Sequence, residues 1–173
     1  MEHDPAITGN DWGRLCGREH ILPMRIYYED TDFSGVVYHA NYVRYLERGR
    51  SEFIRAIGAS HTSLLQGPSP ATFMVSGLSM RFIRPARIDD RLEVRTLCEY
   101  VRGARLICRQ AVFRGTELII EAEVENVCVT LEGRPRRIPP TMMEKLRPHL
   151  MPPAAVVAAE TPARQLAYSI AAE

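Results

Sequence analysis

An α+β fold, in which a curved antiparallel sheet of about five strands wraps around one central helix, is what this sequence predicts. Three observations carry that expectation. A strand-like segment stands alone near the N-terminus, one long amphipathic stripe follows it, and four strand-like segments then run nearly end to end between residues 72 and 130. The joints between them are rich in Gly, Pro, Asp and Ser, the residues that turn a chain.

Residues 1–18 are polar and Gly-containing with no clear period, so they are expected to form a loose arm before a folded domain at 19–147. Residues 21–29 suit a first strand with Pro23 near its start. Asp30 to Gly35 is turn chemistry. From about Ala40, the residues Tyr42, Leu46, Gly49, Phe53 and Ala56/Ile57 recur at helical spacing, with Arg44, Glu47, Arg48, Ser51, Glu52 and Arg55 on the other side. Gly58 is the expected helix stop. Gly49 costs roughly 1 kcal/mol against Ala in a helix interior, so a close approach by another element is expected there.

His61 to Gln66 reads as a short helical turn, and Gly67-Pro68-Ser69-Pro70 breaks the chain. Strands are predicted at 72–84, 91–101, 105–114 and 117–130. In the second, Leu92, Val94, Thr96, Cys98 and Tyr100 alternate with Arg91, Glu93, Arg95 and Glu99, the mark of a half-buried antiparallel strand. Arg102-Gly103 and Gly115-Thr116 supply tight connections. In the last strand Glu121, Glu123 and Glu125 share one face. Thr141 to Arg147 suits one more helical turn. Residues 148–173 form a Pro/Ala-rich tail, with a short helix near 163–171 as a further expectation.

Composition narrows the function. A length of 173 residues suits a single domain with tails, and 46% hydrophobic with 25% charged residues is ordinary for a globular chain. The net charge of +1 gives no domain-wide positive field, so a nucleic-acid partner is not expected. No apolar run approaches the ~20 residues that span a bilayer. The N-terminus has early acids and no hydrophobic stretch of a secretory signal, so the expected compartment is the cytoplasm. Cys16, Cys98, Cys108 and Cys128 form no C-x-x-C pair or zinc spacing, which agrees with a reducing compartment.

Chemistry concentrates between Tyr28 and Tyr42. A strand ends in acids, a Gly-containing loop follows, and a helix starts just after His39. A helix N-terminus offers free N–H groups and a partial positive charge, suited to an oxyanion. One such donor is worth ~10²–10³ in rate. An adjacent carboxylate can attack a carbonyl or activate water. The order of residues therefore suits acyl transfer to water. The run from Asp30 to Gly35 also imitates the start of a calcium loop, but Asn41 stands where the bidentate Glu would be, and no helix precedes it. No metal ligand set and no cofactor are expected.

The run Asp30-Thr31-Asp32-Phe33-Ser34-Gly35-Val36-Val37-Tyr38-His39-Ala40-Asn41-Tyr42, with Tyr45 to Glu52 after it, resembles the signature of 4-hydroxybenzoyl-CoA-thioesterase-type hot-dog enzymes, and among them the YbgC-like, Tol-Pal-associated branch. Arg84 to Asp90 and Glu121 to Val129 fit the same pattern, so the resemblance spans roughly 20–147. It implies an acyl-CoA thioesterase acting on acyl-CoA, or on acyl carrier protein, as a homodimer or homotetramer with sites between subunits. Carried over by position, Asp32 and His39 are the catalytic residues, and Gly35, Val36, Val37 and Tyr38 bind substrate through the loop and helix start. Phe33-Ser34 and Gly49 depart from the small residues common there. Arg81, Arg84, Arg87, Arg102, Arg134, Arg136 and Arg137 are candidates for the coenzyme A phosphates at a subunit boundary, with a solvated strand edge as the plainer reading. Glu47 is a rival carboxylate, read here as half of a solvated ion pair. Two other readings stand beside the main one: an acyl-thioester-binding scaffold of phospholipid metabolism, and a hot-dog hydratase or dehydratase.

Overall fold

The computed structural model describes residues 12–152. Six strands form one antiparallel sheet in the order β1-β2-β4-β5-β6-β3: β1 Arg14–Cys16, β2 Glu19–Arg25, β3 Thr72–Phe82, β4 Arg91–Arg102, β5 Arg105–Arg114 and β6 Glu117–Val129. Helix α1, His39–Ala56, packs on this sheet, and two short helices, α2 His61–Gln66 and α3 Pro140–Leu146, flank it. The sheet thus has one strand more than expected. Part of the expected arm, Arg14 to Cys16, pairs with β2 across a hairpin in which Gly17 takes φ 61°. Three exposed residues carry no alternation, which is why their sequence does not read as a strand. Residues 1–11 of the arm and the helix expected near 163–171 lie outside the described residues.

The first strand also ends earlier than expected. Beyond Arg25, Ile26 still bonds the β3–β4 connection, its N–H to Asp90 O and its carbonyl from Asp89 N–H, both 3.0 Å. The Asp30 carboxylate then accepts the Tyr27 N–H at 2.9 Å, closing a 3-10 turn over Tyr28–Asp30. A side chain that captures a nearby backbone donor outcompetes the ladder.

The alternation expected along β4 holds for Leu92, Val94, Thr96 and Cys98, all buried. It fails at Glu99, where a register shift between Cys98 and Tyr100 turns the carboxylate inward. Glu99 is 7% exposed and pairs with Arg109 at 2.7 Å, so burial of the acid is matched by a cation. Its carbonyl also accepts the Met151 N–H at 2.9 Å, tying down the start of the expected tail.

The helical stripe is wider than the sequence pattern, because Asn41, Tyr45 and Ile54 are buried beside Tyr42, Leu46, Gly49 and Phe53. Gly58, at φ 77°, ends the turn by donating its N–H to Arg55 O. Two apolar clusters lie under α1, one around Tyr42, Leu46, Val94 and Val112, the other around Phe53, Cys98, Cys108 and Leu106. Between them sits a polar node. Gln110 Nε2 donates to Leu46 O at 2.9 Å and to Thr96 Oγ1 at 2.8 Å, while Arg50 donates to Gln110 Oε1 at 2.8 Å. Gly49 faces that node, and a Cβ there would stand 2.8 Å from both Thr96 Oγ1 and Val94 Cγ1. The close approach expected from the helical glycine is present.

Candidate active site

The segment between the 3-10 turn and α1 is a hairpin-like loop. Thr31 bridges Val37, Asp32 N–H donates to Val36 O at 3.0 Å, and Gly35 N–H donates to Asp32 O at 2.9 Å. The turn needs Gly35 because its φ is 75°, which side chains rarely adopt. Two main-chain bonds fix the exit of this loop. Val37 N–H reaches Ala86 O at 2.8 Å, and Tyr38 N–H reaches Asp30 O at 2.9 Å.

The N–H groups of Gly35, Val37 and Tyr38 are thus already bonded within the protein. At the start of α1 the Asn41 N–H returns to Tyr38 O, whereas the His39 and Ala40 N–H groups have no partner among the described residues. The first helical turn lacks carbonyls four residues back, so these donors point outward with the dipole's positive end. The sequence reading offers the loop and the helix start together as donors, and it does not separate the bonded amides from the unbonded ones.

Asp32 is exposed on this loop. Its Oδ1 accepts the Ser34 N–H at 2.8 Å and the Ser34 hydroxyl at 2.5 Å, while Oδ2 has no hydrogen bond among the described residues. The Ser34 hydroxyl first, then the Ser34 N–H, hold the Asp32 carboxyl below the usual carboxylate range, with nearby His39 adding to the effect. Near neutral pH the residue is therefore ionised.

An open cleft of about 340 Å³ brings the pieces together, lined by Asp32, Val36, Val37, His39, Tyr42, Phe82, Ile83, Arg84 and Pro85. Asp32, His39, Val36 and Val37 thus share one cavity; Gly35 and Tyr38 do not line it and act on loop shape. The His39 ring stacks at 4.5 Å from Tyr38 and edge-on to Phe82 at 6.4 Å. Phe82, at the end of β3, was not singled out by sequence reasoning, since it reads as one more strand residue. The Tyr45 hydroxyl is buried, and burial, then the neighbouring Asp30 carboxylate, push its pKa up.

Glu47 lies elsewhere, paired with Arg50 and accepting the Ser51 hydroxyl at 3.2 Å, as expected for a helix-surface ion pair. Several candidate phosphate-binding arginines have partners: Arg81 on Glu121 at 2.8 Å, Arg84 on Glu117 at 3.0 Å, Arg87 on Gly35 O at 3.3 Å and Arg136 on Pro70 O at 3.1 Å. Among the described residues no group of His, Cys, Asp and Glu is arranged to hold a metal ion, and no helix is long and apolar enough to cross a membrane.

A helix cradled by an antiparallel sheet, with Asp32 and His39 lining one cleft at the helix start, frames this site, and the chain belongs to the thioesterase superfamily (4HBT), whose pattern matches residues 34–127. It is similar to the acyl-CoA thioester hydrolase YbgC of Escherichia coli O157:H7, 38% identical over 127 residues that span 72% of this chain and 93% of that protein. A probable thioesterase from Bartonella henselae is 41% identical, with a TM-score of 0.68 over 70% of this chain and 99% of that one. A 4-hydroxybenzoyl CoA thioesterase mutant complexed with 4-hydroxybenzoyl CoA superposes with a TM-score of 0.70 over 75% of this chain and 99% of that one. At 21% identity that likeness speaks for the fold, the hot-dog fold.

Proposed function

We propose that this chain hydrolyses acyl-CoA thioesters to the free acid and coenzyme A. The observation that carries the reading is the shared cleft, which Asp32 and His39 both line, at a loop-to-helix junction where Asp32 Oδ2 and the His39 and Ala40 N–H groups have no partner among the described residues. The similarity to proteins bearing the name acyl-CoA thioester hydrolase supports it. The thioester oxygen sits on the two amides, which gain strength as that oxygen takes up charge. Asp32 Oδ2 then attacks the carbonyl carbon, expelling the thiolate and leaving a mixed anhydride for water to open, or it takes a proton from the attacking water. His39, at the cleft wall, hands a proton to the departing sulfur.

The enzyme is a cytoplasmic homodimer or homotetramer in this reading. Among the described residues its β3 edge has no further strand beside it, and it carries exposed Met74, Val75 and Leu78. Beside that edge a cavity of about 500 Å³ opens between α1 and β3, lined by Val43, Leu46, Val75, Leu78 and Val124, so a second copy laid along β3 would close it. Sedimentation equilibrium at the mass of one chain would overturn the pairing.

The test of the reaction is thiol release from a panel of acyl-CoAs of increasing length, and from acyl carrier protein loaded with the best acyl group. Hydrolysis of any thioester supports the proposal. Its absence with all of them, with binding retained, favours a scaffold, and double-bond hydration without thiol release favours a hydratase.

The Ser34 contact gives a pH prediction. Because that hydroxyl holds the Asp32 pKa down, Ser34→Ala raises it toward the ordinary value. The acidic limb of kcat/KM then moves to higher pH, activity at neutral pH changing less. An unmoved limb would detach Asp32 from the pH dependence.

A further inference from the structure

The cleft wall facing the start of α1 is the β3–β4 connection, and it does more than line the cavity. Ala86 is fully buried, and its carbonyl holds the Val37 N–H at 2.8 Å. Its neighbour Arg87 donates from Nη1 to Gly35 O at 3.3 Å. Two bonds from adjacent residues thus grip the loop on both sides of Val36, midway between Asp32 and His39. The loop's other bonds run within residues 30–41, Asp32 to Gly35 are exposed and Val37 is inserted in the core, so these two bonds tie it to the rest of the fold.

The connection is itself pinned by one side chain. From the end of β5, Arg114 Nη1 donates to Asp90 Oδ2 at 2.6 Å and to Pro85 O at 3.4 Å, and its Nε donates to Glu117 Oε2 at 3.0 Å. The same Asp90 oxygen accepts the Arg87 N–H at 2.8 Å, and Glu117 also pairs with Arg84 at 3.0 Å. Asp89 stands at φ 67°, a left-handed turn position that aspartate tolerates, and its N–H donates to Ile26 O at 3.0 Å.

We propose that Arg114 is a positioning residue for the thioesterase reaction, acting through Asp90 and the Pro85–Arg87 backbone to hold the Asp32–His39 loop against α1. The inference rests on the proposed hydrolysis. Chemistry with a carboxylate and two amides converging on one carbonyl is sensitive to displacement, a misplacement of about 1 Å being able to lower the rate ~100-fold. A planar guanidinium reaches both carboxylates and the Pro85 carbonyl together, whereas an ammonium is a single point.

The test compares the full-length wild type with Arg114→Ala, Arg114→Lys and Asp90→Asn. Arg114→Ala is expected to lower kcat about 10- to 100-fold with KM changed less than about threefold. Arg114→Lys and Asp90→Asn should fall between it and the wild type. Amide hydrogen exchange read by mass spectrometry should show faster exchange across residues 31–38, with peptides of β4, β5 and β6 away from residue 114 unchanged. Wild-type kcat in a folded Arg114→Ala variant overturns the proposal, as does protection lost equally over the whole sheet. If Arg114→Ala does not fold, Asp90→Asn carries the same two readouts. A wild type that releases no thiol from any acyl-CoA defeats the hydrolysis reading, while unchanged exchange at 31–38 in the variants defeats the latch.

Discussion

Asp32→Asn is expected to lower kcat by about three orders of magnitude, the scale for losing a nucleophile or general base from an otherwise intact site. The substitution is clean for a structural reason. An amide oxygen can still accept the Ser34 N–H and hydroxyl that Asp32 Oδ1 accepts now, so the loop keeps its shape. Asp32 is also exposed, so the change should leave the thermal midpoint nearly unchanged. The pair of measurements is steady-state kcat on the preferred acyl-CoA and the thermal midpoint. A variant that keeps its midpoint and at least a tenth of wild-type kcat would reject Asp32 as the reacting group.

Gly49→Val should have the largest effect on stability. Any Cβ at this position lands 2.8 Å from Thr96 Oγ1 and Val94 Cγ1 and 3.1 Å from Gln110 Nε2. Valine adds two methyl groups beyond that, and β-branching leaves few rotamers in a helix. Helix and sheet must separate, or Gln110 must leave Leu46 O and Thr96, stranding buried polar atoms. Overpacking and lost hydrogen bonds together cost on the order of 3–5 kcal/mol. For a chain of this length that lowers the midpoint by roughly 10 °C. Gly49→Ala should fall between, since its helix-propensity gain of ~1 kcal/mol only partly offsets the contacts. An alanine variant more stable than the wild type would show that the packing at the node yields easily.

Particular residues show how far the sequence could be read. The stripe Tyr42, Leu46, Gly49 and Phe53 was legible because helical periodicity is local, and Gly49 even announced its tight contact. The boundaries of β5 were legible because Gly103 and Gly115, both with positive φ, bound it. The strand Arg14–Cys16 and the inward turn of Glu99 were not, since both depend on what lies opposite: β2 for the first, Arg109 for the second.

At the site, the sequence by itself determined the kinds of groups present. It encodes an acid, a hydroxyl two residues on, a glycine able to take positive φ, and a helix beginning at a histidine. Each follows from neighbours within about ten positions, where side-chain and backbone preferences act directly. Tertiary structure alone decided which amides remain free. Val37 loses its N–H to Ala86, a residue 49 positions away, and the β3–β4 connection that supplies the acceptor is held by Arg114 on another strand. Hydrogen-bond donors are consumed by whichever acceptor the fold brings within reach, and that choice is made between segments distant along the chain.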